Sequence, residues 1–381
     1  MKSVDESVPV RLPVPAVPSQ VKGGDEWDLL PPLPEVLDGV NTFTRHYFQL
    51  GFIPKQLFPE RLQTNPRSVS VFFLLGILSV SARLTPALVR RYGSAVKASE
   101  IFMERASALA QTEVYKGPSL ERCQAFYLLS IAQQGSGLKH QSSVSNGLQA
   151  CCSNKQLILD KINMAISIRM ATLMQLHREE TYVLQNPTRE LIIKAESARR
   201  TLVCIAKGKL STSVVILISV SKWMLHSQDN LHSGPHSPVS LSASDITTLL
   251  PASEEDFAAA REPELRAALE DTPPALENPA LAHDKRRSLF ASLIQAHYYW
   301  GAISRRAINK SKSMRPWDSS SEFAQMRRRL DHWESQLPER HRWSPASLKK
   351  YRQESLELVL LWTFASPHVP LTDIIARHIL V

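Results

Sequence analysis

The stretch SVSVFFLLGILSVSA, held between Arg67 and Arg83, constrains this chain more than any other feature. It carries no charge, and its only polar side chains are serines. Wound as a helix, it is apolar on nearly every side, so it has no face to offer water and must sit at the centre of an assembly. It is too short to cross a membrane, which takes about 20 apolar residues. A second apolar run, 210–221, is shorter still. The remaining chain therefore has to wrap a central helix.

The segments that follow and precede it can do so as helices. Val36, Leu37, Val40, Phe43, Tyr47 and Leu50 recur every three or four residues and predict a helix ended by Gly51 and Pro54. An alanine-rich pattern over 93–115 and the stripe Leu120, Cys123, Tyr127, Leu128, Ile131 predict two more, with Ser119 as an N-cap. Ile162, Ile166, Met170 and Leu173 define a fourth stripe. Leu289, Leu293, His297 and Trp300 lie on one later helix, and Phe323, Met326, Leu330 and Trp333 on another. Only 13 glycines stand against 25 prolines, and no strand-like alternation is sustained, so the expected class is all-α.

Charge is distributed unevenly. Residues 225–284, dominated by His, Ser, Pro and acids, are read as a long surface loop with short helices at EEDFAAA and PELRAALE, and within them 245–284 hold ten Asp/Glu and two Arg. Residues 285–352 hold 16 Lys/Arg and five Asp/Glu. The basic groups Arg90-Arg91, Arg199-Arg200, Lys285-Arg286-Arg287, Arg305-Arg306 and Arg327-Arg328-Arg329 fall on separate helices. They read as solvated faces, some pairing with the acidic stretch, rather than as one phosphate-binding stripe. The net charge of +9 permits an acidic partner without requiring one.

Signatures of chemistry are missing. There is no Gly-rich phosphate loop, no G-x-S-x-G and no H-E-x-x-H. Nor is there an Asp-rich magnesium box or a C-x-x-C pair. No catalytic residue and no metal ligand is assigned, and cofactor-binding residues stay unknown. His226, His232 and His236 cluster in HSQDNLHSGPHSP, but a fixed ligand geometry is not evident and a polar loop is the preferred reading. Neighbouring Cys151 and Cys152 do not face each other on a helix. Four cysteines exclude a disulfide scaffold, and the N-terminus has neither a secretory nor an Arg-rich transit pattern.

Taken in order, the segments resemble the fungal-specific transcription factor domain, the middle homology region of binuclear zinc-cluster regulators. The similarity begins at FTRHYFQLGFIPKQLFPERL, on Tyr47, Phe48, Phe52 and Pro54, and passes to Ser81, Ala82 and Arg83. It continues through Glu104, Arg105 and Ala106, then Gln124, Ala125 and Leu128 of LERCQAFYLLSIAQQGSG. It is strongest in INMAISIRMATLMQLHREE, on Ala165, Ile168, Arg169, Met170, Ala171, Leu176, His177 and Arg178. It then runs through Arg199 and Arg200 of SARRT, Trp223, Asp229, Ser233, Gly234, Asp245, Ile246 and Pro251. The resemblance spans roughly 35–300. It implies an all-helical, non-enzymatic regulatory region acting on RNA polymerase II transcription in the nucleus. The implied partners are other transcription regulators or a second copy in a dimer, with a small-molecule effector in some members.

Two departures qualify that expectation. The zinc cluster of this family takes six closely spaced cysteines, whereas the first cysteine here is Cys123, so zinc is expected only from a further N-terminal module. Direct DNA binding by this chain is not expected, nor is a membrane partner. Two segments, 138–161 and 202–222, interrupt the family pattern; both are read as retained introns or misjoined exons, the alternative being natural loop insertions. Val203-Cys204 is compatible with a GTATGT donor. Removing their 24 and 21 residues leaves 336 and lowers the net charge to about +4. The expected organisation is a Pro-rich tail over 1–34, a helical regulatory domain over 35–365 and a divergent tail over 366–381. A generic helical interaction scaffold and a helical enzyme are the competing classes.

Overall fold

A computed structural model describes residues 25–47, 50–142, 162–205, 243–308 and 318–342. Among them there is no β-strand, and the fold is all-α. The helices in chain order are α1 (Leu33–His46), α2 (Leu57–Thr64), α3 (Val71–Ser81), α4 (Pro86–Tyr92), α5 (Ala95–Glu113) and α6 (Leu120–Ser142). They continue as α7 (Ile162–Leu173), α8 (Arg189–Ile205), α9 (Glu254–Ala259), α10 (Pro273–Glu277), α11 (Leu289–Ile308) and α12 (Glu322–Ser335).

Helix α3 is the central element that its composition requires. Every residue from Val71 to Ser81 is buried. Ser70 caps its start, accepting from the Phe73 N–H, while the Ser70 N–H donates to Glu121 at 3.0 Å. The serines survive burial because they bond within the helix: Ser79 Oγ donates to the Gly76 carbonyl at 2.7 Å and Ser81 Oγ to Ile77 at 3.0 Å. Helices α1, α5 and α6 pack around α3. Gly39 lets α1 come close, since a Cβ there would stand 2.3 Å from Leu78 Cδ2. Phe72 meets Phe126 of α6 edge-on at 4.9 Å between centroids. Gly93, at φ +88°, ends α4 in a left-handed turn that other residues adopt only with strain.

Several local expectations need correction. Helix α1 stops at His46, ahead of Gly51 and Pro54; Tyr47 is its C-cap, and the Tyr47 hydroxyl donates instead to the Val80 carbonyl at 3.0 Å. Residues 25–34 belong to the packed structure, with a short 3-10 helix at Glu26–Leu29 and a buried Leu30. On α7 the buried face is Asn163, Met164, Ser167, Ile168, Met170 and Ala171, whereas Ile162 and Leu173 are exposed. That helix is apolar almost all round, so periodicity alone misplaces its face; small residues turn inward because Ser167 meets Cys123 of α6. The stretch PELRAALE forms no helix. Its backbone pairs outward instead, with Leu250 N–H on the Ala267 carbonyl at 2.7 Å and Ala268 N–H on Leu281 at 3.0 Å. Residues 245–284 are accordingly not a surface loop throughout: Leu250, Ala252, Phe257, Arg266, Ala267 and Ala268 are buried.

Helix α6 runs to Ser142 and α8 to Ile205, each past the point where an interruption was inferred, and Leu202 is buried. The remainder of both segments, the His226, His232 and His236 cluster, and Cys151 and Cys152 lie outside the described residues. Among the described residues no single helix is long and apolar enough to cross a membrane.

Candidate functional site

The sequence AESARRT sits on α8 and places Arg199 and Arg200 three and four residues after Glu196, so each is a neighbour of Glu196 on the helix surface. Arg200 is fully buried and is the largest fully buried side chain described. Its Nε donates to Glu196 Oε1 at 2.9 Å. Its Nη1 donates to the Gly51 carbonyl at 3.0 Å and to Glu254, and its Nη2 to Ala252 at 3.0 Å and Ser253 at 3.3 Å. The guanidinium plane lies 4.2 Å from the Phe257 ring centroid and 5.3 Å from that of Phe290. An arginine rather than a lysine is needed here, because only a planar fork can reach these acceptors together.

Glu196 is the opposing centre. It accepts from Arg200, from Arg266 at 2.8 Å and from the Ala252 N–H at 2.9 Å. Burial pushes its carboxyl pKa upward, but the two arginines outweigh burial and hold it below the ordinary carboxylate range. Arg199 turns to the other side. It grips Glu179 through both Nη atoms, at 2.6 and 2.9 Å, donates to the Leu249 carbonyl at 2.9 Å and stacks 4.1 Å over Tyr182. One turn of α8 thereby clamps chain segments near 51, 179, 249–254 and 266. Glu196, Glu179 and Glu254 are each engaged by an arginine of α8, so the hub ties distant backbone segments to this helix.

Beside the hub is an open groove of about 950 Å³ between α2, the start of α6 and the start of α8. Ile53, Leu57, Phe58 and Phe73 contribute apolar walls, and Gln124 and Ser197 contribute polar groups. Ser197 Oγ donates to the Phe52 carbonyl at 2.6 Å, and Gln124 Nε2 donates to Ser197 at 3.3 Å and Thr201 at 2.8 Å. Ser197 thus links groove and hub through adjacent faces of α8.

Residues that carried the family resemblance are distributed unequally. Arg199 and Arg200 are the hub, Gln124 lines the groove, and the Pro251 carbonyl is held by Ser288 at 2.8 Å. His177 contributes its carbonyl, which accepts from Thr247 and Thr248 at 3.0 and 3.3 Å. Arg105 donates to the Leu29 carbonyl at 2.6 Å, and Arg83 to Ser99 at 3.4 Å. Glu104, Arg169, Arg178 and Asp245 are exposed. Phe48, Trp223, Asp229, Ser233 and Gly234 lie outside the described residues.

The reading of all basic clusters as solvated faces fails at three arginines. Arg199 and Arg200 are buried, and so is Arg287, which donates to Ser292 at 3.1 Å and to the Gln336 carbonyl at 3.2 Å. Paired charges and carbonyl acceptors offset their desolvation. The reading stands at Arg90, Arg91, Lys285, Arg286, Arg327 and Arg328, which are exposed, and Arg329 pairs with Glu270 and Asp271 of the acidic stretch; the side chains of Arg305 and Arg306 lie outside the described ones. Glu196, Glu179 and Arg266 were not singled out from the sequence. The Glu196–Arg200 spacing of four was the available signal for the first, whereas the other two reach the hub from distant segments.

Among the described residues no group of three or more His, Cys, Asp or Glu is placed to hold a metal ion. Cys123 does not fit a zinc ligand: it is buried, its thiol is pushed up to about 12 by burial, and Sγ donates to the Ser167 carbonyl at 3.3 Å. No family model matches this chain, and neither a curated protein nor a solved structure does.

Proposed function

We propose that this chain is the regulatory region of a fungal transcription regulator, acting in the nucleus on RNA polymerase II transcription without its own zinc-cluster module. It is a non-enzymatic region that works through other regulators or a second copy of itself. The observation that carries the reading is the place of Arg199-Arg200. This doublet belongs to the family-like SARRT motif, and Arg200 is bonded to the Gly51, Ala252 and Ser253 carbonyls, beside the FIP and LP segments of the same resemblance. Arg200 thus ties together backbone 149 positions before it and 52 to 53 after it, next to segments of the resemblance, as expected where a pattern specifies one domain architecture. The all-α fold and a hub made only of engaged ion pairs are compatible with a positioning role.

The test is a reporter assay with the 381-residue chain fused to a separate DNA-binding module. The expected result is reporter output that the fusion raises or lowers relative to the module alone, and that Arg200→Lys shifts back towards the module alone. Reporter output identical with and without the chain would instead favour a generic interaction scaffold.

A further inference from the structure

We infer that the groove between α2, α6 and α8 is a binding site for an uncharged, ring-bearing small molecule that carries one hydrogen-bond donor, a hydroxyl or an amine. The inference does not depend on the regulatory reading. It follows from size, charge balance and one acceptor atom.

At about 950 Å³ the groove falls within the range of ligand pockets and exceeds what a few ordered waters need. Its walls are apolar and aromatic. Phe58 and Phe73, both buried, meet edge-on at 5.8 Å between centroids and form an aromatic floor beneath the depression. The charged lining residues cancel: Glu60, Glu121 and Glu190 against Arg61, Arg189 and Lys194. Arg61 is further engaged by Glu121 at 3.3 Å and by Ser68. A strongly anionic or cationic ligand would therefore gain no net field here to offset its desolvation, whereas an uncharged one has no charge to desolvate.

The acceptor is Gln124 Oε1. Gln124 is 3% exposed and lines the groove. Both hydrogens of its amide nitrogen are used, one on Ser197 and one on Thr201, and this fixes the amide orientation. Among the described residues Oε1 has no hydrogen-bond partner, and it is not one of the fully occluded polar atoms, so it reaches the groove. Ser197 Oγ already donates to Phe52 and accepts from Gln124. The deep end thus presents an acceptor and selects a donor. A ligand there also touches α8 on the face next to Glu196 and Arg200, so occupancy stabilises the hub helix.

The experiment uses the full chain and N-phenylnaphthylamine, an uncharged aromatic amine that fluoresces on leaving water. Saturable binding with one site per chain is expected, together with a raised unfolding temperature. Phenylnaphthalene, which lacks the N–H, should compete about fivefold more weakly, and Gln124→Leu should erase that difference. Anilinonaphthalene sulfonate should also bind more weakly than the uncharged amine. Gln124→Leu also loses bonds to α8, so Ile193→Trp provides the second variant. Ile193 is half-buried on the groove wall, and the indole fills the groove from its rim while the circular dichroism spectrum is kept. It should weaken the amine about tenfold or more. Absence of saturable binding, or binding that Ile193→Trp leaves unchanged, overturns the assignment. So does loss of the site as protein concentration rises with dimer formation in light scattering, because the groove would then be occupied by a second copy.

Discussion

The helices around α3 and the helices around α8 solve the same burial problem with opposite chemistry. Around α3 the buried groups are Phe72, Phe73, Leu74, Leu75, Ile77 and Leu78, and the few hydroxyls bond within their own helix. Around α8 the buried groups are Glu196, Arg199, Arg200 and Arg266, each bonded to a residue far away in the chain. Apolar packing is non-directional and tolerates exchange of one shape for a similar one. An ion pair taken out of water is favourable only in one geometry, because its desolvation is offset only when every partner is in place. The first region supplies bulk stability. The second specifies which loops lie beside which helix.

The largest expected effect follows from removing Glu196. Glu196→Ala leaves Arg200 and Arg266 facing one another in a dry site, at a cost of about 3–5 kcal/mol. Urea unfolding followed by circular dichroism measures it. Leu75→Met, equally buried but within α3, should cost less than about 1.5 kcal/mol because volume is conserved. A loss under about 1 kcal/mol for Glu196→Ala would break the contrast, by showing that water enters the hub and screens it.

The same contrast explains what could be read from the amino-acid sequence. Helix α3 was legible because fifteen uncharged residues admit only a buried helix. Met326, Leu330 and Trp333 were legible because a polar helix with one apolar stripe has a single way to face a core. Helix α7 was misoriented, since an apolar group occurs on each side of Ile162–Leu173 and only the partner helix decides. The hub was read as solvent-facing. Charge spacing along α8 says that Glu196 and Arg200 meet, but the carbonyls of Gly51 and Ala252 that make burial tolerable come from loops with no periodicity. The groove was invisible for a similar reason: its wall residues Leu57, Gln124 and Ile193 come from three helices whose mutual placement no local pattern encodes.

A smaller effect concerns acid rather than substitution, and it sharpens the comparison because α3 has no titrating group. His341 is buried with Nδ1 2.9 Å from Ser292 Oγ. Burial first, then the charges of Arg340 and Arg287, lower its pKa from 6.5 to about 3. The folded chain therefore keeps His341 neutral, while the unfolded chain protonates it below about pH 6.5. Stability supplied by the neutral imidazole is complete above that value and is lost progressively as pH falls towards 3. Between pH 7.5 and 5.5 the loss from this one group should be about 1.4 kcal/mol. Urea unfolding at both values measures it, and His341→Asn should remove that share of the pH dependence. An unchanged dependence in His341→Asn would place the titration on another group.

The smallest effect tests whether position or mere pairing gives an arginine its weight. Arg327 pairs with Asp331 one turn along α12, at 3.2 Å, with both side chains more than half exposed at 53% and 55%. Arg200 pairs with Glu196 at the same spacing of four, at 2.9 Å, with exposures of 0% and 2%. Sequence spacing treats the two pairs as equivalent. Solvent does not: an exposed pair exchanges one good environment for another and is worth about 0.3–0.5 kcal/mol on a helix. Arg327→Ala should accordingly shift the unfolding midpoint by an amount near the measurement error and lose even that in high salt, where the Debye length shortens. Arg200→Ala in parallel should leave Glu196 and Glu254 without their shared partner and approach the cost of Glu196→Ala. Similar losses for the two arginine variants would mean that helical spacing, not burial against loop carbonyls, sets the strength of the hub.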